Sequence, residues 1–208
     1  MAHILHIDSS PRAESSHSRK LTKEFINARI ALHPQDTISY RDVGHYPVPH
    51  VDEAWVAAAF SSPAEHTPSL TQAIRLSDEL VDEFLAADLY VFGVPMYNWS
   101  VPSTFKAYID QIMRFGRTFT KNSDGNFEGL AKGKRMVVIT SRGSSLRPGT
   151  PLAAYDFQEP FLRTAFGFAG IADISFIHAD NLNWDEALRN QSLAEARTAI
   201  SDIVNHWG

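Results

Sequence analysis

Five short segments of the chain carry the apolar, β-branched and aromatic residues that are typical of strands. These segments are 3–8, 37–43, 89–94, 135–141 and 173–178. The third and fourth are almost uninterrupted apolar runs, which indicates strands covered on both faces. Polar and apolar residues alternate more clearly in the second, which favours an edge position in the sheet.

Helical periodicity fills most of the chain between these segments. Apolar residues recur three and four positions apart, so each helix would bury one stripe. The predicted helices are 17–32, 70–87, 101–116, 151–167 and 185–206. Pro102 near the start and Gly116 at the end give the third helix the usual asymmetry. The proline-rich connection 44–69 is predicted to be a wrapped loop with a helical turn near 52–60.

The alternation of strand and helix predicts an α/β fold with a parallel sheet, right-handed crossovers and helices on both faces. Five strands suit a doubly wound sheet of flavodoxin-like order 2-1-3-4-5. No break in composition and no internal repeat divides the chain. We therefore expect one domain that spans residues 1–208.

Composition and charge exclude several classes of function. The formal net charge of −5 disfavours nucleic acid and anionic membranes as partners. The absence of cysteine excludes thiol catalysis, disulfides and thiolate metal sites. Nine scattered histidines without an HExxH motif predict no metal site. The start of the chain lacks the features of a signal peptide and no later apolar run reaches spanning length, so we expect a cytoplasmic protein.

Three loops of unusual composition are predicted to meet at one edge of the sheet. Ligands of open parallel sheets bind beyond the carboxyl ends of the strands, where the strand order reverses. In the predicted order that crevice lies between the first and third strands. The loops that would line it are 9–18, 95–100 and 141–149.

The first of these loops places five serines just before a helix: Ser9, Ser10, Ser15, Ser16 and Ser18. Hydroxyls and free N–H groups at a helix N-terminus favour binding of an anion. The alternative is an ordinary serine cap, but a cap needs only one serine. Neither GxGxxG nor GxxxxGK[ST] is present, so a terminal phosphate on a small cofactor fits better than a dinucleotide or a nucleoside triphosphate.

The second loop holds two aromatic residues and an amide between two prolines. Asn98 and the neighbouring backbone could pair with a heterocycle that has donors and acceptors, while Tyr97 and Trp99 could form a wall against it. Pro95 and Pro102 stiffen this turn. An aromatic cluster that seals the end of the sheet is an equally good interpretation of this loop taken alone.

The third loop offers a cation and a glycine after the fourth strand. Gly143 permits close approach of the backbone to a ligand, and Arg142 could stabilise negative charge on a bound ring. A surface arginine and a turn glycine are the alternatives. Spacing alone does not decide between these interpretations.

Together the three loops resemble one family, the FMN-dependent NADH:quinone oxidoreductases, also known as azoreductases, which have a flavodoxin-like fold. The resemblance rests on "SS…SHS" within 9–18, "PMYNWSVPSTFKAYID" at 95–110 and "SRGS" at 141–144. The pattern P-x-Y-N-x-S-x-P-x-x-x-K is shared with other flavodoxin-like reductases. Met96 before the Tyr-Asn pair and the later S-R-G are more specific to azoreductases.

The resemblance implies two-electron ping-pong hydride transfer from NADH or NADPH, through bound FMN, to quinones or azo compounds. It implies a homodimer with the flavin at the subunit interface, and it identifies no catalytic acid or base. The FMN contacts that it implies are Ser10, Ser16, His17 and Ser18 for the phosphate, Met96, Tyr97, Asn98 and Trp99 for the ring, and Ser141, Arg142, Gly143 and Ser144 for further flavin contacts.

Some residues depart from the family pattern. Trp99 stands where phenylalanine is familiar, Ser144 where a second glycine is, and Lys121 where some relatives have a tyrosine in the substrate pocket. These departures leave the preferred acceptor open. A flavodoxin-type electron carrier and an FMN reductase that releases free reduced flavin remain as rival functions. Large apolar residues near loops weakly favour the dimer: Trp55, Phe60, Phe115, Phe119, Phe127, Phe161 and Phe168.

Overall fold

A computed structural model describes residues 1–207 of the chain, and its central feature is a sheet of five parallel strands. The strands are β1 (His3–Asp8), β2 (Thr37–Asp42), β3 (Leu89–Pro95), β6 (Arg135–Ser141) and β7 (Asp173–Ala179). Their order across the sheet is β2-β1-β3-β6-β7. Counted among the strands of this sheet, the order is 2-1-3-4-5, so the predicted doubly wound topology is confirmed, with β2 at an edge.

Six α-helices surround the sheet. They are α1 (His17–Leu32), α2 (Glu53–Ala59), α3 (Pro68–Ala86), α4 (Ser103–Ile112), α5 (Glu159–Phe168) and α6 (Glu186–His206). Short 3₁₀ helices at Pro63–Glu65 and Ala153–Tyr155 precede α3 and α5. Among the described residues, no helix combines the length and the apolar character that a membrane span requires.

The sheet separates two hydrophobic layers. On one face the buried side chains of α1 and α6, such as Phe25 and Ile200, pack with Ile4 of β1. On the other face α3, α4 and α5 contribute aromatic residues, such as Phe84 and Phe105, which pack with Leu5 and Ile7. Burial of both faces explains the continuous apolar runs of β3 and β6, because neither face of these strands meets water.

Two helices are shorter in the structure than the sequence predicts. The helix predicted for 101–116 is α4, which begins after the cap residue Pro102 and ends at Ile112. The helix predicted for 151–167 begins only at Glu159. The Asp156 carboxylate accepts hydrogen bonds from the backbone N–H groups of Gln158 and Glu159, which fixes the helix start there.

The sequence prediction missed a small hairpin between α4 and β6. Strands β4 (Phe119–Lys121) and β5 (Phe127–Gly129) pair antiparallel across a polar turn. The Asn122 side chain accepts from two backbone N–H groups in this turn, and Gly125 has a positive φ of 80°. Strands of three residues are too short to show a recognisable alternation.

The connection between β2 and α3 contains the predicted helical turn, which extends to a full helix. Asp52 caps α2 by accepting from the N–H of Trp55. Trp55 is buried against Ile74 of α3. Trp55 is therefore a core residue, although the sequence analysis counted it among the aromatic residues available for a dimer interface.

Candidate functional site

A polar cavity of about 390 Å³ lies at the carboxyl edge of the sheet, where the predicted crevice was placed. Residues from all three predicted loops line it, including Ser10, His17, Met96 and Ser141. The loops are joined to the strand ends by backbone hydrogen bonds: the N–H of Ser9 donates to Gly93, and that of Met96 donates to Ser141. We call this space the flavin cavity, after the cofactor that the resemblance implies.

The β1–α1 loop brings serine hydroxyls and a helix N-terminus to this cavity. Ser16 is the N-cap of α1, and its side chain accepts from the N–H of Arg19. Ser10 accepts from the N–H of Arg12 and lines the cavity beside Ser16 and His17. Ser18 is fully buried, and its hydroxyl lies 3.2 Å from that of Ser16, so its side chain supports the loop from below.

The backbone of the same loop is held by Arg19. The guanidinium donates to the carbonyl oxygen of Ser10 from both Nε (2.9 Å) and Nη2 (2.6 Å). It also bonds to both carboxylate oxygens of Asp42, at 2.5 and 2.8 Å. Gly44 packs directly against this carbonyl, because a Cβ at that position would lie 2.2 Å from the Ser10 oxygen. The loop is thus fixed before any ligand binds.

The β3–α4 turn has a left-handed backbone at two consecutive positions. Asn98 and Trp99 have positive φ angles of 48° and 72°, and the flanking residues Tyr97 and Ser100 exchange two backbone hydrogen bonds. This arrangement is typical of a type I′ turn, whose central residues are usually Asn or Gly. Trp99 is unusual there, since a bulky residue at positive φ is disfavoured.

This turn adjoins the cavity and carries unused donors, although Tyr97 lines the cavity and the predicted contacts Asn98 and Trp99 do not. Among the hydrogen bonds of residues 1–207, none has the backbone N–H of Asn98 or Trp99 as its donor. Tyr97 lines both the flavin cavity and a neighbouring cavity of about 570 Å³ that also contains Asn98 and Phe161. Trp99 contacts Tyr155 with a ring-centroid distance of 5.2 Å. Strain of this kind is concentrated at ligand-binding sites.

The third loop places Arg142 beneath the cavity in a buried ion network. Nε donates to Asp180 at 2.7 Å and Nη1 donates to Asp156 at 2.9 Å, while the residue is only 1% exposed. Two carboxylates therefore compensate the guanidinium charge. This pairing disfavours the predicted role of the Arg142 side chain in stabilising negative charge on a bound ring.

The β7–α6 connection forms a fourth wall, which the sequence analysis did not identify. Leu182 and Asn183 line the cavity, and their N–H groups donate to the carbonyl oxygens of Arg142 and Gly143. A Cβ at Gly143 would lie 2.5 Å from Nδ2 of the Asn183 side chain, so this side chain would have to move if residue 143 were larger. Ser144 accepts a hydrogen bond from the Trp184 indole rather than lining the cavity.

Electrostatics make this cavity favourable for an anion. Burial and the charges of Lys20 and Arg12 lower the pKa of His17, with smaller contributions from Arg189 and Arg197. Arg12 and Arg189 both line the cavity, and the sequence analysis identified neither. Arg12 lies within the first predicted loop, whereas Arg189 lies on α6, which follows the fifth strand of the sheet and therefore starts at the same edge.

The residues present fit the group that the resemblance implies. Serine hydroxyls and the N-terminus of α1 suit a phosphate. The backbone donors of the strained turn and the ring of Tyr97 suit the edge and face of a flat heterocycle. FMN carries both groups.

Comparison with known proteins agrees with this description. A family profile described as "Flavodoxin-like fold" matches residues 2–204. The chain is 65% identical to the FMN-dependent NADH:quinone oxidoreductase of Nostoc punctiforme over 207 residues, and 61% identical to FMN-dependent NADH:quinone oxidoreductase 2 of Trichormus variabilis over 208, with both chains fully covered in each case.

Solved structures show the same architecture. An azoreductase from Bacillus anthracis superposes with a TM-score of 0.91 at 24% identity, covering 99% of this chain and 100% of that one, which shows the shared fold. An FMN-dependent NADH-azoreductase from Bacillus anthracis in complex with FMN gives a TM-score of 0.88 at 26% identity, covering 100% and 99%. The chain therefore belongs to the flavodoxin-like family that contains the FMN-dependent NADH:quinone oxidoreductases.

Proposed function

We propose that this protein is an FMN-dependent NADH:quinone oxidoreductase that also reduces azo compounds. The observation that carries the proposal is the flavin cavity itself, in which the serine-rich N-terminus of α1 and Tyr97 of the left-handed turn meet at the switch point of the sheet. The relatives that are 61–65% identical over their whole length carry this name, which supports the same reading.

FMN is held in this proposal by the residues that the sequence analysis identified. Ser10, Ser16 and His17 bind the phosphate, with Ser18 behind them. The turn of Met96, Tyr97, Asn98 and Trp99 meets the ring. Ser141 and Gly143 approach it from the third loop, where the backbone, rather than the Arg142 guanidinium, provides the contacts. The predicted contact from Ser144 is not part of this proposal, because Ser144 bonds to Trp184 outside the cavity.

When bound, FMN supplies the two-electron chemistry between NADH or NADPH and the acceptor. The protein orients this group and excludes water from one side of it. Preorganised N–H groups of the Asn98–Trp99 turn need no rearrangement to stabilise negative charge, and this effect is worth about 3–4 kcal/mol per well-placed donor. No side chain is assigned as an acid or base.

A homodimer is part of the proposal, as is a cytoplasmic location. Four phenylalanines from the hairpin region and the end of α5 form an aromatic cluster with centroid distances of 4.8 to 6.0 Å: Phe115, Phe119, Phe127 and Phe168. Three of them, Phe115, Phe127 and Phe168, are 40–56% exposed, which favours burial against a second copy. Light scattering should give twice the 23.2 kDa chain mass. Phe127→Asp should reduce the measured mass to that of one chain. Tyr46→Asp, which changes an exposed aromatic residue outside the cluster, should leave the mass of the dimer unchanged.

Two measurements distinguish the proposed function from its rivals. Steady-state NADH oxidation with menadione or benzoquinone should proceed rapidly when FMN is present. A flavodoxin-type carrier would show no turnover in the same assay. The purified protein should also show flavin absorption bands at about 370 and 450 nm, and these bands should persist through gel filtration. A reductase that releases free flavin would lose them.

A further inference from the structure

Two arginines stand apart from the others in their charge environment. The chain contains thirteen arginines, and eleven of them have a carboxylate oxygen within 4.0 Å in the part of the chain that the structure describes. Over these same residues, Arg12 and Arg189 have no such partner. Carboxylates outnumber cationic side chains in this protein, which has a net charge of −5, so an arginine without a carboxylate partner is unusual.

Both unpaired arginines line the flavin cavity, although they come from distant parts of the sequence. Arg12 lies in the β1–α1 loop, and its Nε donates only to the Ser15 hydroxyl, at 3.3 Å. Arg189 lies near the start of α6 and is half-buried. Their meeting at one cavity is a property of the fold, since 176 residues separate them in the chain.

The wall of this cavity contains no aspartate or glutamate among the described residues. Other polar cavities of the same chain differ in this respect. The one beside Arg19 includes Asp8 and Asp42, and the one beside Arg147 includes Asp180 and Glu195. Cations that converge where carboxylates are absent produce a positive potential that favours an anionic ligand.

We propose that Arg12 and Arg189 bind the terminal phosphate of FMN and provide most of the charge that holds it. This inference rests on the proposed function and extends it to two residues that the resemblance does not assign to FMN, Arg12 within the first loop and Arg189 on α6. A phosphate monoester carries a charge of about −1.5 to −2 near pH 7, which serine hydroxyls and a helix N-terminus only partly balance. The planar guanidinium matches phosphate oxygens through paired N–H donors. Burial lowers the pKa of His17, and the charges of Lys20, Arg12 and Arg189 lower it further, which agrees with a cluster of cations at this cavity.

The test compares two ligands that differ only in the phosphate. Dissociation constants for FMN and for riboflavin are measured by quenching of flavin fluorescence. The proteins are the flavin-free forms of the wild type, R12Q, R189Q and the double variant. Each single substitution should weaken FMN binding by about tenfold, which is typical of a lost charge-assisted hydrogen bond, and the double variant by about a hundredfold. Riboflavin binding should change by less than about twofold in every variant.

R75Q is the matched control, because Arg75 is an exposed arginine of α3 that pairs with Glu79 and lies outside the cavity. It should leave both dissociation constants unchanged. Equal weakening of FMN and riboflavin would overturn the inference, because the arginines would then support the loop rather than the phosphate. Unchanged FMN binding with a raised KM for NADH would overturn it too, by assigning the arginines to the co-substrate. A wild-type protein that binds neither flavin would contradict the proposed function itself.

Discussion

Residues of the β1–α1 loop line two cavities, and the arginines of these cavities differ in whether a carboxylate pairs with them. The cavity beside Asp8, of about 300 Å³, is lined by Arg19, Tyr40, Asp42 and His45. Its arginine is paired: Arg19 lies 2.5 Å from Asp42 and 3.7 Å from Asp8, and His45 lies 2.8 Å from Asp42. Glu14, Lys20 and Lys23 also line this cavity and have no ion pair among the described residues. In the flavin cavity, two arginines face solvent without a carboxylate.

The pKa values follow the same division. Burial opposes ionisation of Asp42, but hydrogen bonds from Arg19 and His45 outweigh it and lower the pKa of this carboxyl to about 2. Burial, reinforced by Asp8 and Asp42, raises the pKa of Tyr40 to about 12. The arginine of the Asp8 cavity is thus neutralised by carboxylates of the protein, whereas Arg12 and Arg189 of the flavin cavity are not. Hydrogen bonds from Arg19, which lines the Asp8 cavity, to the carbonyl oxygen of Ser10, which lines the flavin cavity, connect the two cavities.

The largest expected effect comes from breaking the paired side. Arg19→Met leaves Asp8 and Asp42 buried without their cation, so we expect the free energy of unfolding to fall by about 3–5 kcal/mol. Urea unfolding at pH 7 measures the loss. Arg197→Met, which removes an exposed pair with Glu24, should cost less than about 1 kcal/mol. If the free energy of unfolding falls no more in Arg19→Met than in Arg197→Met, the ion pairs of Arg19 do not stabilise the fold as proposed.

The next largest effect concerns the strained turn of the flavin cavity. Asn98→Ala should weaken FMN binding by about 1–3 kcal/mol, because it removes the amide and leaves its partners unsatisfied. Asn98→Gly is the matched variant, since glycine accepts the positive φ of 48° without strain. If only the alanine variant loses affinity, the backbone conformation matters more than the amide. An unchanged dissociation constant in both variants would remove this loop from the FMN site.

A smaller effect should appear on acidification. Because the pKa of Asp42 is lower in the folded protein than the unfolded value near 4, ionised Asp42 stabilises the fold fully above pH about 5. That contribution, about 1–2 kcal/mol, should be lost as the pH falls from about 4 to about 2. Unfolding free energies of wild type and Asp42→Asn should therefore converge at low pH. Parallel pH profiles would contradict the assignment.

The smallest effect is the one that separates the two cavities most clearly. Arg189→Met should change the free energy of unfolding by less than about 0.5 kcal/mol in the absence of flavin, since it breaks no carboxylate pair among the described residues. Urea unfolding of the apoprotein measures it. A loss comparable with that of Arg19→Met would mean that Arg189 has a structural role.

The sequence predicted the sheet because burial on both faces leaves a direct record in β3 and β6, whose residues are nearly all apolar. It predicted the three loops because the carboxyl ends of parallel strands share one edge. Helix boundaries were less accessible. The start of α5 depends on a single side chain, Asp156, whose capping role is hidden in a segment that also looks helical.

The charge partners of the site could not be predicted, because they depend on packing between distant segments. Arg142 pairs with Asp180, 38 residues away, and nothing in the motif S-R-G indicates this. Arg189 is an ordinary helical residue until the β7–α6 connection carries it to the cavity. Loops report their chemistry by composition, whereas a long-range pair is visible only in three dimensions.

The left-handed turn at Asn98–Trp99 also limits how this protein can change by mutation. Two neighbouring positive φ angles admit glycine and asparagine readily but resist β-branched residues. Codons for valine, isoleucine or threonine at these positions should therefore be lost from a randomised library on folding grounds, before any choice of acceptor is made. The residue types that directed evolution can select at positions 98 and 99 are therefore limited first by backbone geometry and only then by contacts with a ligand.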